Sequence, residues 1–236
     1  MAGNEDWYNS NSSIKIVPAS SGDFGYAVFG VSRYIDSHPQ IGLNEKGLGV
    51  DWATIPQSKF VHHPKRLPLI TPLIPELMKR CESVGDVIRF IEKYNIPHFA
   101  AEHLLVADRF GDAIVLEWHN ETVQVVTTDK KYQLITNFNI LAPSTGWYPC
   151  DRFSAGESIL KAERGHLPSI EYIAMILDAM HSEGKFQTLY SYVFDLQKES
   201  IVLYNRFDFS RKTTLNLEDL LKKGKQTLEI NDLVYQ

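Results

Sequence analysis

The chain has 236 residues, of which 44% are hydrophobic. That content can bury a substantial core, and we expect a single domain spanning residues 1–236. The 24 Lys and Arg residues against 29 Asp and Glu residues give a net charge of −5. Because there is no basic surplus to bind a phosphate backbone, the composition argues against nucleic acid as a partner.

The cysteines and the N-terminus bear on the cellular compartment. Cys81 and Cys150 are too few for a disulfide framework, and no Cys-x-x-Cys spacing is present. No apolar run approaches the roughly 18 residues that a bilayer span needs, and residues 1–6 lack a basic region followed by an apolar one. The sequence as printed predicts a cytoplasmic protein that does not enter a membrane. The localisation stays open, because a signal peptide preceding residue 1 would direct export.

The N-terminal part predicts a β meander. Strands are expected at residues 14–18 and 26–31, separated by a turn cluster at Ser20 to Asp23. Residues 41–43 and 48–52 form the two arms of a hairpin around Asn44-Glu45-Lys46-Gly47, where Gly47 is free to adopt positive φ. This hairpin, the charged stretch at residues 3–7 and the polar stretch at residues 136–138 suggest strand ends converging on one site.

A proline-rich crossing then interrupts the pattern. Residues 54–75 contain five prolines, which exclude a central strand or a helix interior. Long loops of this kind are commonly functional. The segment also carries aromatic and basic side chains, so we interpret it as a rim over a pocket.

The rest of the chain alternates blocks of helices and strands. Apolar spacing and the capping residues Ser83 and Ser169 predict the second helix in each of two helix pairs. The predicted helices cover residues 75–81, 84–94, 149–163 (ended by Gly165), 169–181 and 215–221, and the predicted strands cover residues 102–108, 113–118, 122–127, 132–136, 188–195 and 200–204. Blocks in this order predict an α+β fold, a four-layer αββα sandwich of two antiparallel sheets.

Local motifs exclude several reaction classes. No phosphate-binding loop, dinucleotide fingerprint, zincin motif or nucleophile elbow is present. His62 and His63 are adjacent and would point in different directions, and His98 and His103 are not spaced for one face of a helix. The spacing therefore predicts no metal site, and no cofactor is expected.

Five segments in a fixed order resemble the choloylglycine hydrolase and penicillin V acylase family, the linear amide C–N hydrolases of the N-terminal nucleophile superfamily. They are Gly3-Asn4-Glu5-Asp6-Trp7, residues 42–48, the hairpin of residues 108–117, Thr136-Asn137 and Cys150-Asp151-Arg152-Phe153. The resemblance covers nearly the whole chain. It implies the αββα sandwich and an N-terminal cysteine that attacks an amide carbonyl.

The resemblance also implies roles for four residues. Asp6 would hold the nucleophile's thiol and α-amine, and Arg152 would stabilise the charged site. The Asn137 side-chain amide and the backbone N–H near Thr54 would donate to the oxyanion. Taken singly, each side chain has an ordinary alternative: Asp6 as a turn or cap carboxylate, Asn137 as a strand-end residue, and Arg152 in a surface ion pair with Asp151 or Glu157.

The departures from the family pattern set the functional alternatives. Met1-Ala2-Gly3 resembles the interior of a family sequence, so we expect the cysteine and its strand to precede the printed residues. Gly3 replaces an Arg and Thr54 replaces an Asn. A backbone donor survives the change from Asn to Thr, whereas the loss of Arg argues against bile salts and penicillin V as substrates. The alternatives are a hydrolase of N-acyl amides, an acyl-ligand-binding relative without catalysis, and an acyltransferase. In each case the expected partner is a small acyl-amide molecule, and whether the chain forms a homo-oligomer stays open.

Overall fold

The computed structural model describes residues 1–162 and 169–234. The strands and helices of these residues, with their bounds, are β1 (Ala2–Trp7), β2 (Ser12–Val17), β3 (Tyr26–Val31), β4 (Ile41–Asn44), β5 (Gly49–Thr54), β6 (Leu67–Pro68), α1 (Leu73–Arg80), α2 (Val84–Ile91), β7 (Tyr94–Asn95), β8 (Glu102–Ala107), β9 (Ala113–His119), β10 (Thr122–Val126), α3 (Asp151–Ala162), α4 (Ile170–Ala179), β11 (Gln187–Asp195), β12 (Ser200–Asn205), β13 (Asp208–Asn216), α5 (Leu217–Lys222), β14 (Gln226–Glu229) and α6 (Ile230–Val234).

Two antiparallel sheets form the centre of the molecule. The larger has eight strands in the order β10-β9-β8-β5-β4-β3-β2-β14, and the smaller has four in the order β1-β11-β12-β13. Most neighbours in these sheets are also neighbours in the chain, as expected when short connections favour antiparallel pairing. The fold is the predicted α+β sandwich with antiparallel sheets.

The core between the sheets consists of alternate, inward-facing residues of both. Phe29 and Ile41 of the larger sheet and Tyr192, Phe194 and Leu203 of the smaller one are at most 2% exposed. The Phe29 and Phe194 rings lie 5.3 Å apart between centroids. Because side chains of a strand alternate between its faces, the opposite faces are left for the helices.

Helices cover both outer faces. The α1–α2 pair packs its apolar residues on the outer face of the larger sheet, and α4 packs Ala174 and Leu177 on the smaller one, where α3 lies beside it. The predicted cap of α2 is confirmed, because the Ser83 side chain accepts a hydrogen bond from Asp86 N–H. The four layers are therefore helix, sheet, sheet and helix.

Polar strands account for the largest differences from the predicted elements. β1, β13 and β14 were not predicted from the sequence, because each carries polar residues that obscure the alternation typical of a half-buried strand. Residues 132–136, predicted as a strand, are irregular. The predicted end of α3 at Glu163 and Gly165 lies outside the described residues.

Beyond Thr54, the proline-rich crossing contributes no residue to the wall of the cavity described below, so the predicted rim is not formed. Its Phe60 ring packs 4.9 Å from the Trp118 ring, on the helix-covered side of the larger sheet. Ser58 N–H donates to the carbonyl of Ala100. The apolar residues between the prolines explain this position, because they add to the core under α1 and α2.

The turn of the predicted central hairpin is confirmed, but its position is not the one expected. Asn44 Oδ1 accepts from the N–H groups of Lys46 and Leu48, at 3.1 and 3.0 Å, and Gly47 has a φ of 72°. A Cβ on Gly47 would lie 2.3 Å from the carbonyl oxygen of Leu196, so glycine is required there. The turn therefore packs against the connection after β11, and only the far end of β5 reaches the cavity.

Candidate active site

A cavity of about 690 Å³ opens beside β1, at the edge of the smaller sheet. Its wall is formed by all of β1, the last four residues of β5, the irregular residues 131–137, Arg152 of α3 and the inner face of α4. All four candidate residues from the sequence, Asp6, Thr54, Asn137 and Arg152, lie on this wall. The fold therefore brings together residues that are up to 146 positions apart.

Asp6 owes its orientation to an irregularity in β1. The register with β11 shifts between Glu5 and Asp6, and such a bulge redirects the side chains that follow it. Asp6 Oδ1 accepts from the Thr188 hydroxyl at 2.6 Å, and Oδ2 accepts from Arg152 at 2.7 Å. Burial raises the pKa of Asp6, although the bonds from Thr188 and Arg152 oppose that rise.

Arg152 connects two of the candidate residues. Its Nη1 donates to Asp6 Oδ2, and its Nη2 donates to Asn137 Oδ1 at 2.6 Å. Among the described residues Arg152 forms its ion pair with Asp6 and not with Asp151 or Glu157, and Glu157 is bonded to Lys130 and Lys161. The planar guanidinium fixes the carboxylate and the amide in one plane, which suits Arg better than Lys.

Asn137 and Thr54 form the other end of this arrangement. Asn137 Nδ2 donates one hydrogen to the Thr54 carbonyl at 2.9 Å, which leaves its second hydrogen free for another acceptor. Ile55 N–H donates to Ala101 in the direction of β8. Because neighbouring residues of a strand point their amides to opposite sides, the Thr54 N–H points away from β8. Two donors therefore lie close together on the cavity wall.

A buried pair holds the irregular segment that carries Asn137. His103 and Glu117 are at most 1% exposed, and His103 Nδ1 lies 3.1 Å from Glu117 Oε2. His103 Nε2 donates to the carbonyl of Thr136 at 2.9 Å. Both ring nitrogens therefore face oxygen atoms, one of a carboxylate and one of a backbone carbonyl.

Glu117 fixes the same segment from the other side. Its carboxylate accepts from the N–H groups of Ile140 and Leu141, at 2.8 and 2.9 Å. Burial alone would raise the pKa of Glu117, but the bonds from His103 and from these two amides lower it. The sequence analysis missed this pair. Its only signal was two ionisable residues at apolar positions of neighbouring strands.

Carboxyl groups dominate the wall near the start of β1. Asp51 Oδ2 accepts from the Tyr192 hydroxyl at 2.7 Å, and burial raises the pKa of Asp51 to about 7. Burial also raises the pKa of Glu5. A Cβ on Gly3 would lie 2.8 Å from the Tyr192 ring and 2.9 Å from Asp51 Oδ2, so this position has no room for a side chain. The absence of a side chain on Gly3 thus leaves Asp51 open to the cavity.

One further part of the wall is apolar. The contributing side chains come mainly from the α3–α4 layer and are Leu160, Ile173, Ile176, Leu177 and Met180. A long apolar surface facing a few polar groups is typical of a pocket for a ligand with an apolar tail and a polar end.

Neither the N-terminal amine nor a cysteine adjoins Asp6. The Met1 amine donates to the carbonyl of Phe194 at 3.0 Å. It is separated from Asp6 by about 16 Å of strand, at about 3.3 Å per residue. Cys150 accepts a hydrogen bond from the Thr136 hydroxyl at 3.4 Å. Among the described residues that line the cavity, none is a cysteine.

The sequence matches one known protein family. The sequence model of the linear amide C–N hydrolases, choloylglycine hydrolase family, matches residues 8–140, more than half of the chain. The chain belongs to the choloylglycine hydrolase family. The match includes Thr54 and Asn137, whereas Asp6 and Arg152 lie outside it. No curated protein matches the sequence.

Solved structures agree with this assignment at the level of the fold. Penicillin V acylase from Agrobacterium tumefaciens aligns with a TM-score of 0.71 at 15% identity, over 100% of this chain and 88% of that one. A variant of conjugated bile acid hydrolase from Clostridium perfringens aligns with a TM-score of 0.65 at 18% identity, over 97% and 92%. Among the described residues of the present chain, no helix has the length and apolarity to cross a membrane.

Proposed function

We propose that the cavity hydrolyses linear amide bonds of N-acyl substrates with a cysteine thiolate as nucleophile. The cysteine would be contributed by residues preceding Met1 in the complete protein. Membership of the family supports the bond class. The observation that carries the proposal is the Arg152 bridge, because it holds Asp6 and Asn137 on one wall with donors directed at the same space.

The reaction would use these groups in two steps. The thiolate attacks the amide carbonyl, a C–S bond forms, and the negative charge moves to the carbonyl oxygen. The second hydrogen of Asn137 and the N–H of Thr54 would donate to that oxygen. The amine then leaves with the proton taken from the nucleophile, and water hydrolyses the thioester to release the acid. Asp6, held by Arg152 and Thr188, would position the α-amine that carries this proton.

The chemistry of the walls supports a substrate class. The apolar side chains of α3 and α4 would accommodate the acyl chain. Gly3 and Asp51 leave no cation at the start of β1, where the family members that act on bile salts and penicillin V carry an Arg, so the proposal excludes those two substrates.

The first experiment is the intact mass and N-terminal residue of the protein isolated from its own organism. We expect a chain that begins with cysteine and releases amine from N-acyl substrates. In that protein, Asn137→Ala should lower kcat by about 10²- to 10³-fold, the usual effect of losing an oxyanion donor. An unchanged kcat would remove Asn137 from the mechanism, and amide hydrolysis by a chain beginning at Met1 or Ala2 would refute the cysteine mechanism.

A second candidate is favoured by the absence of cysteine from the described cavity wall. In that case the protein would bind an acyl ligand without cleaving it. A mature chain that begins at Met1 or Ala2, and that retains an acylated molecule intact, would support binding over hydrolysis. An acyltransferase would share the thioester, and addition of an acceptor amine would then give a new amide in place of the free acid.

A further inference from the structure

Two histidines and a carboxylate meet where the cavity opens to solvent. His38 lies between β3 and β4, His98 lies in a helical turn before β8, and Glu102 is the first residue of β8. His38 Nε2 is 3.0 Å from Glu102 Oε1, and His98 Nδ1 is 3.5 Å from Glu102 Oε2. One ligand atom from each of the three residues lies within 4.8 Å of the other two.

The geometry points to a divalent metal site, and we propose that His38, His98 and Glu102 bind one Zn²⁺ ion. Two imidazole nitrogens and one carboxylate are the ligands of a three-residue zinc site that keeps a fourth position open. With metal–ligand bonds of about 2.0–2.1 Å, tetrahedral ligand atoms lie about 3.3 Å apart. The two contacts with Glu102, at 3.0 and 3.5 Å, are close to that separation but end on different oxygens, so the carboxylate would bind the ion through both oxygens or turn to present one.

The surroundings of the Glu102 carboxylate favour the binding of a metal ion. Its side chain is 15% exposed, and its Oε2 lies 3.5 Å from His98 Nδ1 without meeting a donor of good hydrogen-bond geometry within the described residues. A largely buried carboxylate oxygen with only a long contact to a histidine carries a desolvation cost that a metal ion would offset. The His38 and His98 rings are stacked, with centroids 4.9 Å apart, so both can present a nitrogen to the same side.

Metal binding would require a movement of His98, the most exposed of the three residues. His98 is 55% exposed, whereas His38 is 31% exposed. Rotation of the His98 side chain is therefore the least costly way to bring the third ligand atom into range. His38 and Glu102 line the cavity and His98 does not, so the open position of the ion would face the cavity. It would hold water or an anionic oxygen of a bound ligand.

The site is independent of the proposed amide hydrolysis. Glu102 is the register partner of Thr54 in the β5–β8 pair, so the proposed zinc ligand lies on the strand paired with the one that carries Thr54. Zinc binding nevertheless needs only the three side chains. Failure of one proposal therefore leaves the other intact.

A second histidine with two carboxylates provides a matched control. His181 Nδ1 is 3.3 Å from Asp178, and its Nε2 is 3.2 Å from Glu183. Because these carboxylates contact opposite nitrogens of one ring, the three groups cannot enclose a single ion. His181→Gln should therefore leave zinc binding unchanged.

The test is titration of the purified, metal-free protein with Zn²⁺ by calorimetry, repeated with Co²⁺ to observe its visible d–d bands. We expect one ion per chain in the wild type and in His181→Gln. His98→Gln and Glu102→Gln should each weaken binding by roughly 100-fold or more, because loss of partners outside the ligand shell already costs 10- to 100-fold. His98 is half-exposed, so its replacement should leave the thermal unfolding temperature near that of the wild type.

Three results would overturn the proposal. They are no stoichiometric binding in the wild type, wild-type affinity in both His98→Gln and Glu102→Gln, and an equal loss of binding in His181→Gln.

Discussion

At the scale of single residues, Gly3 shows how a missing side chain shapes the cavity. A Cβ at this position would lie within 3 Å of both Tyr192 and Asp51. Tyr192 is fully buried between the sheets and cannot move aside easily. The sequence identifies this position as a departure from the family pattern, but only the structure shows that it is sterically closed.

Gly3→Ala tests this closure. We expect the added methyl group to lower the free energy of unfolding by about 1–3 kcal/mol, the usual cost of overpacking. Urea unfolding of the variant measures the loss. Gly85→Ala is the control. Gly85 lies in a helix, and the nearest atom to its added Cβ would be 3.4 Å away, so the change should be neutral or stabilising. Gly111→Ala is unsuitable because Gly111 has a φ of 100°, which strains any other residue. Equal stability of the wild type and Gly3→Ala would show that the position has room.

Asp51 makes stability depend on pH. Burial raises its pKa from 3.8 to about 7 in the folded chain. Between these values the folded state binds more protons than the unfolded state, so the free energy of unfolding falls as pH rises. The stabilising contribution is fully present only below the unfolded pKa.

Asp51→Asn should flatten this dependence while keeping an acceptor for the Tyr192 hydroxyl. One proton of difference contributes at most about 1.4 kcal/mol per pH unit. Denaturant unfolding of both proteins at several pH values between about 4 and 7 gives the two slopes. Other groups also titrate in this range, so the prediction concerns the difference between the slopes. Parallel slopes would show that Asp51 titrates normally.

At the scale of elements, the chain on both sides of Asn137 is held by side chains in place of a sheet. Residues 132–136 alternate well enough to predict a strand, yet the carbonyl of Thr136 bonds to His103 and the amides of Ile140 and Leu141 bond to Glu117. These bonds satisfy backbone groups that a sheet would otherwise pair. They also place Asn137 against Thr54.

Glu117→Gln should release this segment. The neutral amide cannot accept from both backbone amides and His103 as the carboxylate does, and breaking a buried charged pair costs about 3–5 kcal/mol. Hydrogen exchange at Ile140 and Leu141 should accelerate relative to exchange in β2. Glu82→Gln, at an exposed position, is the control and should exchange like the wild type. Unchanged protection at Ile140 and Leu141 would refute the anchoring role.

The same carboxylate predicts a loss of stability in acid. Its pKa is lowered in the folded chain, so its contribution is present above the unfolded value of about 4.5 and is lost as pH falls through the folded value. With rising pH, the contribution of Glu117 to the free energy of unfolding increases, whereas that of Asp51 decreases. Each variant must therefore be compared with the wild type across the same pH range.

At the scale of the whole molecule, the cavity depends on the packing of the two sheets. Phe194 contacts the rings of Phe29 and Tyr192, at 5.3 and 4.4 Å between centroids. Phe194 therefore links Phe29 of the larger sheet to Tyr192, whose hydroxyl donates to Asp51. Loss of this ring would affect stability and the wall near β1 together.

Phe194→Ala should lower the free energy of unfolding by about 3–5 kcal/mol, the usual cost of removing a buried aromatic ring. Phe110 is 71% exposed, so Phe110→Ala should change it by no more than about 0.5 kcal/mol. Thermal and urea unfolding of the two variants provide the comparison. Similar losses in both would mean that the inter-sheet core does not determine stability.

The sequence by itself determined the layer order, most strands and the capped helices. These follow from local periodicity and from the capping preference of Ser83 and Ser169, which depend on neighbours a few residues away. It also identified the family and, through it, Asp6, Thr54, Asn137 and Arg152 as candidate residues.

Only the tertiary structure decided how the distant residues meet. The Arg152 bridge, the His103–Glu117 pair and the His38, His98 and Glu102 cluster each join groups from separate elements, and no local spacing encodes such contacts. The polar strand β1 was missed for the same reason. Its residues face a cavity, so they do not show the alternation that burial against a core imposes on a strand.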